Sequence, residues 1–365
     1  MDAGAESGVA GYPLPRAIKT RESSAARYAD SMSKPGIPAG RPLRIVLPGG
    51  SGQVGRMLAQ FFQERGHHVT VLTRGPYTAP WQTVHWDGNQ LGPWVETLEA
   101  ADVCMHLSGR NINCRYTARN RRELYNSRIG PTLLLHQAIA GLDNPPRLWM
   151  NASTATIYRH SLDRDMDETS GEIGGNEMVS ARRRAPEKWN WTVSLAKDWE
   201  TAFFRTATPR TRKIALRTSL VLSPAPGSVF AVLSNLVRVG LGGTQGNGRQ
   251  YVSWIHEADY ARALELLMDH EEIEGPVNLA APSPLPNREF MHGLREAWGM
   301  PNGLPAPAPL LAVGMFFLRT EPELILKSRR AVPGRLLDAG FQFEFPEWPE
   351  AAEDLVRRWR QRDDL

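Results

Sequence analysis

The sequence predicts an α/β protein built on a doubly wound parallel sheet, with a smaller C-terminal region. Two observations predict it. Short apolar runs of strand length alternate with longer amphipathic stretches from residue 43 to about residue 280. A glycine-rich turn, Pro48-Gly49-Gly50-Ser51-Gly52-Gln53-Val54-Gly55, also joins the first apolar run to the first amphipathic stretch, with a second apolar run close behind.

Each element has its own warrant. Leu43-Arg44-Ile45-Val46-Leu47 has the length and composition of a buried strand. After the glycine turn, Val54, Met57, Leu58, Phe61 and Phe62 fall at i, i+3, i+4, i+7 and i+8, one face of a helix that Gly66 stops. His68-Val69-Thr70-Val71-Leu72 reads as the second strand, and Thr83 to Trp86 is strand-like. Strands follow over 102–107, 147–152 and 213–217, with helices over 117–139 and 188–205 between them. Beyond residue 220 the pattern is less regular. Helix is expected over 230–239, strand over 251–255, helix over 257–268 and strand over 277–280. Asn287 is expected to cap a helix running to Trp298. The tail from Leu304 is proline-rich and then helical, and no internal repeat is evident.

Composition narrows the class. With 365 residues, 41% hydrophobic and 22% charged, the chain can bury a sizeable core and is neither fibrous nor wholly disordered. Cys104 and Cys114 are the only cysteines, which excludes a disulfide framework and a cysteine-rich zinc module; no metal site is expected. The net charge of +4 is too mild to demand a nucleic-acid partner, and Arg182-Arg183-Arg184 reads as solvated surface. The apolar stretch Leu304–Leu318 is interrupted by Pro305, Pro307 and Pro309 and is shorter than the ~20 residues of a spanning helix, so no membrane partner is expected. Met1-Asp2-Ala3-Gly4 opens no readable signal peptide, and a cytoplasmic location is expected. Residues 1–40 read as a flexible leader, 41–225 as the sheet domain (with elements to about 280 partly returning to it), and 226–365 as a substrate-side region ending in a small helical domain at about 300–350.

The glycine turn carries the main functional signal. It follows a strand and opens a helix, as a dinucleotide-binding turn must. Gly49 is expected to permit the tight turn, Gly52 to let backbone approach a diphosphate, and Gly55 to let the helix pack on the strand. The N–H groups of Ser51, Gln53 and Val54 would join the helix dipole in holding phosphate. An NAD site would place Asp or Glu at the end of the second strand. This chain has Thr73-Arg74, and a guanidinium pairs with a 2′-phosphate that a carboxylate would repel. NADP(H) is therefore favoured over NAD(H), the alternative being that Arg74 is only a surface residue. Asp87 is placed to face the adenine edge, and Leu107-Ser108-Gly109 ends a strand where small residues let a cofactor lie close.

On these residues, with the stretch through Ser127-Arg128, the run Gly248-Arg249-Gln250-Tyr251-Val252-Ser253-Trp254-Ile255-His256, and Val332-Pro333-Gly334-Arg335-Leu336-Leu337 with Ala339-Gly340-Phe341, the chain resembles the short-chain dehydrogenase/reductase superfamily. It looks most like the extended, atypical epimerase-like subgroup ending in a C-terminal domain of unknown function. The resemblance implies a Rossmann-type sheet with a dinucleotide across the C-terminal ends of its strands. It also implies a Ser or Thr after the fifth strand and a Tyr-x-x-x-Lys pair on the next helix, the Lys lowering the phenol's pKa for proton transfer.

Thr154 matches the hydroxyl position, with a strand-end threonine bonding backbone as its alternative role, and Tyr158 matches a tyrosine that lines the same pocket. Both are candidate catalytic residues. The pair itself is missing. Aligned on Trp199-Glu200, the Tyr position falls on Thr192 and the Lys position on Ala196, while Lys197 lies about 100° around the helix. Tyr116, near Arg115, is a further pocket candidate. Arg110, Asn111, Arg249, Trp254 and His256 are expected on the substrate side, with a core role the alternative for Trp254 and a capping or core role the alternative for His256. An oxidoreductase or epimerase acting on an unknown small carbonyl or sugar-like molecule is the leading expectation. A non-catalytic NADP(H)-sensing or partner-binding module is the other.

Overall fold

The computed structural model describes residues 40–175, 178–180, 183–311 and 321–363. The expected leader, Arg182 of the arginine run and residues 312–318 of the apolar stretch lie outside the described residues, apart from Gly40.

Seven parallel strands form the central sheet. They are β1 (Arg44–Pro48), β2 (His68–Thr73), β3 (Gln82–His85), β4 (Val103–His106), β5 (Leu148–Thr154), β8 (Arg212–Thr218) and β12 (Gly275–Leu279). Their spatial order is β12-β8-β5-β4-β1-β2-β3, so chain direction across the sheet reverses between β1 and β4. Ligands of doubly wound folds bind at such a reversal, at the carboxyl ends of the strands.

Both faces of the sheet are covered, and alternation along each strand divides the core in two. Ile45, Leu47, Val103, Met105, Leu148, Met150, Ile214 and Leu216 pack with α1 (Gln53–Glu64) and α5 (Glu257–Asp269). Val46, Cys104, Trp149 and Ala215 turn to the other face, against α2 (Ala118–Ala140) and α3 (Glu187–Phe204). On α1 the buried positions are Gly55, Leu58, Ala59 and Phe62, with Val54, Met57 and Phe61 half-buried at the edge of the same face.

A second core gathers C-terminal elements. It joins α4 (Val229–Arg238), α6 (Asn287–Trp298) and the last helix, α9 (Trp348–Asp363), around Trp254, Phe290 and Trp348. The expected strand over 251–255 is two short strands, β10 (Tyr251–Val252) and β11 (Trp254–His256). The break falls at Ser253, whose hydroxyl donates to the Arg329 carbonyl and accepts from Ala331 N–H. Short strands β6 (Met178–Ser180) and β7 (Arg183–Arg184) pair with each other, β9 (Leu220–Leu222) pairs with β11, and β13 (Leu285–Pro286) pairs with β10. Two short helices, α7 (Glu323–Leu326) and α8 (Gly334–Asp338), complete the tail. Asn287 does not cap α6. It is the first residue of that helix, and its side chain instead accepts from Gln245 N–H and donates to Gln245 Oε1, tying down the glycine-rich loop. No helix among the described residues is long and apolar enough to cross a membrane.

Three buried histidines give the fold an acid sensitivity. Burial pushes His106, His136 and His256 each down to about 4. In the unfolded chain each returns to about 6.5 and binds protons more readily. The stability they contribute is therefore complete above about pH 6.5 and is lost as pH falls towards about 4. Three protons correspond to a slope of up to about 4 kcal/mol per pH unit. Urea midpoints measured from pH 7 to 4 should fall, and His136→Gln should remove one proton's share of the slope. An unchanged slope in that variant would refute this assignment.

Candidate functional site

The glycine turn has the geometry of a phosphate cradle. Gly49 adopts φ +79°, and a Cβ there would stand 2.5 Å from the Ser108 hydroxyl and 2.7 Å from its Cα. The end of β1 is thus pressed against the end of β4 at the reversal. Gly49 N–H donates to Leu72 O at 2.9 Å, and Leu107 N–H to Pro48 O at 2.8 Å, fixing the turn between its two neighbours. Gly55 packs differently from expectation. A Cβ there would lie 2.4 Å from Gly50 Cα, so this glycine closes the helix onto its own loop rather than onto the strand. Gly52 is the open member of the three, with only Gly49 O, at 3.8 Å, near its hypothetical Cβ. It is also the N-cap of α1 and supplies no side-chain cap, and the helix has no acidic residue in its first turn. An uncapped helix start beside an empty Cβ position suits an anion. Ser51, Gln53 and Val54 complete the rim.

Arg74 stands just beyond β2, exposed and without an ion pair among the described residues. Arg56 was not anticipated. Its Nε donates to Ser51 O at 2.8 Å and its guanidinium lies 5.2 Å from the Tyr77 ring, so a second cation flanks the same rim. Its sequence signal was faint, being one arginine following Gly55. Asp87 accepts from the N–H groups of Asn89 (2.8 Å) and Gln90 (3.2 Å), and the Asn89 bond is the main force holding its carboxyl below the usual range. Its carboxylate is turned into its own loop.

The substrate-side expectations divide. Thr154 ends β5, and its hydroxyl accepts from Thr156 N–H at 3.1 Å, the capping role, leaving its own proton free to donate. The hydroxyl of Tyr158 is corrected from a pocket group to an interior one. It donates to Asn278 Oδ1 at 2.9 Å, accepts from Arg217 at 3.0 Å and is buried. Arg217 is in turn gripped by both oxygens of Glu200 at 2.8 Å. Burial, opposed by Arg217, raises the phenol's pKa. Trp254 lies wholly within the C-terminal core. His256 is also interior. Its Nδ1 accepts from Ala258 N–H as the cap of α5, and its Nε2 pairs with Asp354 at 3.2 Å. Both side chains are buried. Arg110 is tied to Glu123 (2.6 Å) and Asn120 (3.0 Å), Asn111 accepts from Asn113 N–H, and Arg249 is exposed.

The missing acid–base pair has a structural counterpart. Thr192 is buried and donates to Trp189 O, with Glu323 Oε1 at 3.3 Å. Tyr116 donates to Glu323 Oε2 at 3.3 Å, and Arg329 pairs with Glu323 at 2.8 Å. Lys327, also buried, donates to Thr156 O at 2.8 Å. A C-terminal segment therefore fills the ground in front of the helix where the family's tyrosine would stand. Lys197 is exposed on the other side. Burial and Glu323 together push the Tyr116 phenol far above its ordinary value, so it is a poor acid here.

Residues 45–280 match the NAD dependent epimerase/dehydratase family. The chain belongs to that family. Residues 305–355 match DUF1731, a domain of unknown function, which places the Glu323 segment within it. Among curated relatives, the mouse "Epimerase family protein SDR39U1" is 31% identical over 320 residues, 86% of this chain and 100% of the relative. The Mycobacterium bovis "Epimerase family protein Mb2239" is 32% identical over 303 residues, covering 82% and 93%. A crystal structure of human SDR39U1 with NADPH matches with a TM-score of 0.74 at 28% identity, covering 86% of this chain and 99% of that one. The Bacillus cereus UDP-N-acetylglucosamine 4-epimerase shares the fold at a TM-score of 0.64 and 16% identity. The epimerase-family match thus covers the sheet domain, and the DUF1731 match covers the tail.

Proposed function

We propose that this protein binds NADP(H) along the carboxyl ends of β1, β2 and β4 and works as an atypical oxidoreductase or epimerase on a small carbonyl- or sugar-like substrate. The observation that carries the reading is the open Gly52 position at an uncapped helix start, beside Gly49, which is held between the ends of β2 and β4. The N–H groups of residues 51–54 would hold the diphosphate, and Arg74 with Arg56 would meet a 2′-phosphate. Leu107, Ser108 and Gly109 leave room for the nicotinamide half. Bound there, the nicotinamide would supply hydride chemistry. Thr154 would hold a substrate oxygen with its free O–H. The NADPH in the human relative's structure supports the phosphorylated cofactor, although a more distant neighbour of this fold carries NAD.

Calorimetric titration of NADPH and NADH tests this. Wild type is expected to prefer NADPH, and Arg74→Ala to lose about tenfold or more in NADPH affinity, roughly 1.4 kcal/mol, with NADH affected little. Equal loss for both nucleotides, or no loss, would rule out 2′-phosphate recognition by Arg74.

The second reading is a dinucleotide-responsive protein without chemistry. Thr192, Ala196 and the locked Tyr158 favour it, because they leave no titrating phenol at the usual place. It predicts that Thr154→Ala preserves cellular function whereas loss of nucleotide binding abolishes it.

A further inference from the structure

The segment around Glu323 belongs to a domain of unknown function, and its charges lie inside the protein. Glu321, Glu323 and Lys327 are each 3% exposed or less, and the Arg329 side chain is 16% exposed. Burying charges only to clip a tail in place gains little, since apolar side chains of similar volume hold a segment without the desolvation cost. Each of these charges lands instead on an element of the candidate site. Glu321 accepts from Tyr116 N–H at 2.9 Å and pairs with Lys188 at 2.6 Å, which seats the segment against the start of α3. Glu323 meets Thr192, the place of the absent tyrosine, and pairs with Arg329. Arg329 carries the connection onward, its Nε donating to Thr156 Oγ1 at 3.2 Å. Lys327 Nζ donates to the carbonyl of the same threonine at 2.8 Å. Thr156 is thus held at its hydroxyl and at its carbonyl by two cations from one segment.

Thr156 stands in the turn that closes β5, and its N–H donates to Thr154 Oγ1 at 3.1 Å. Each of the two hydroxyl oxygens therefore accepts one bond, Thr154 from backbone and Thr156 from a guanidinium. Neither hydroxyl donates to an acceptor among the described residues, and both residues are half-buried. Two O–H donors are left in one turn at the carboxyl end of the sheet, and a bond already accepted strengthens each as a donor. Preorganised donors of this kind suit an oxygen on which negative charge gathers. On the dinucleotide reading above, which sets the nicotinamide at this sheet edge, we infer that the DUF1731 segment completes the substrate site. Arg329 is a positioning residue that holds Thr156 as a second hydroxyl donor beside Thr154, and the two receive the substrate's carbonyl oxygen. Ala196 leaves the helix without the cation of the usual pair, and here the cations arrive from the far end of the chain.

Sulfite tests this while the substrate is unidentified. Its sulfur lone pair bonds to C4 of an oxidised nicotinamide, the ring electrons neutralise the ring nitrogen, and anionic oxygens come to lie where a substrate oxygen would. Full-length wild type, Thr156→Val, Arg329→Met and Arg329→Lys are each titrated with NADP+ and then, saturated with it, with sulfite, the adduct being read by its near-ultraviolet band. Wild type should form the adduct more tightly than free NADP+ does in buffer. Thr156→Val and Arg329→Met should each weaken sulfite about tenfold or more while keeping their NADP+ affinity. Arg329→Lys should recover part of the loss, a split between the two constants that an arginine serving only the fold would not produce. Thr156→Val matching wild type, or wild type binding sulfite no better than free NADP+, overturns the inference. Arg329→Met matching wild type overturns the positioning role. Should Arg329→Met not fold, Thr156→Val decides alone, since it keeps the volume and the carbonyl that Lys327 holds. Wild type failing to bind NADP+ at all would instead overturn the dinucleotide reading.

Discussion

Replacing Gly52 by aspartate will abolish dinucleotide binding and leave the fold standing. The two halves of that expectation have separate causes. The fold tolerates the side chain because nothing but Gly49 O, at 3.8 Å, lies near the new Cβ. Gly52 is also the N-cap of α1, where aspartate is a preferred residue and its charge opposes the helix dipole. The melting temperature should be unchanged or slightly raised. Binding fails because the carboxylate occupies the space where backbone must approach the diphosphate, and takes over the N–H groups that would hold it. A loss of at least a hundredfold in NADPH affinity, about 2.7 kcal/mol or more, is expected by calorimetry. Gly55→Ala is the contrasting control. Its Cβ would meet Gly50 Cα at 2.4 Å, so stability and binding should fall together. A Gly52→Asp protein that binds NADPH normally would place the cofactor elsewhere.

The second large effect is on stability. Glu200→Ala should lower it by about 3–5 kcal/mol, because it strands the buried Arg217 guanidinium. Both side chains are nearly inaccessible, and the pair is bidentate at 2.8 Å. Glu200 also accepts from the Ser153 hydroxyl at 2.6 Å, and Arg217 donates to Tyr158. The network thus joins α3, β5, β8 and, through Asn278, β12. In a chain of this size the change corresponds to about 4–7 °C in melting temperature. Glu200→Leu combined with Arg217→Met should recover part of the loss, since an apolar pair of similar volume leaves no uncompensated charge. A Glu200→Ala protein melting within about 2 °C of wild type would show that the interior is wetter than this packing implies.

Much of this architecture was legible in the sequence because local pattern and tertiary demand agree there. The runs at 43–47 and 68–72 are strands on both counts, and the face carrying Leu58 and Phe62 is buried as its spacing requires. The positive φ of Gly49 follows from the tight turn. Legibility ends where a side chain's role depends on distant residues. Tyr158 looked like a pocket residue because its motif position is near Thr154. Its hydroxyl is claimed by Asn278 and Arg217, 120 and 59 residues away. His256 and Trp254 sit in a stretch that carries the family likeness, yet both serve the C-terminal core. The Glu323 segment could not be read at all, since it meets Tyr116 and Thr192 across more than 130 residues.

The central claim is that the 49–55 turn and the facing end of β4 hold a dinucleotide. Hydrogen–deuterium exchange of the full-length protein with and without saturating NADPH tests it most directly. The account predicts slowed exchange in peptides covering residues 49–57 and 107–110, with the buried strand interiors unchanged. Binding without protection of either segment, or no binding, would contradict it.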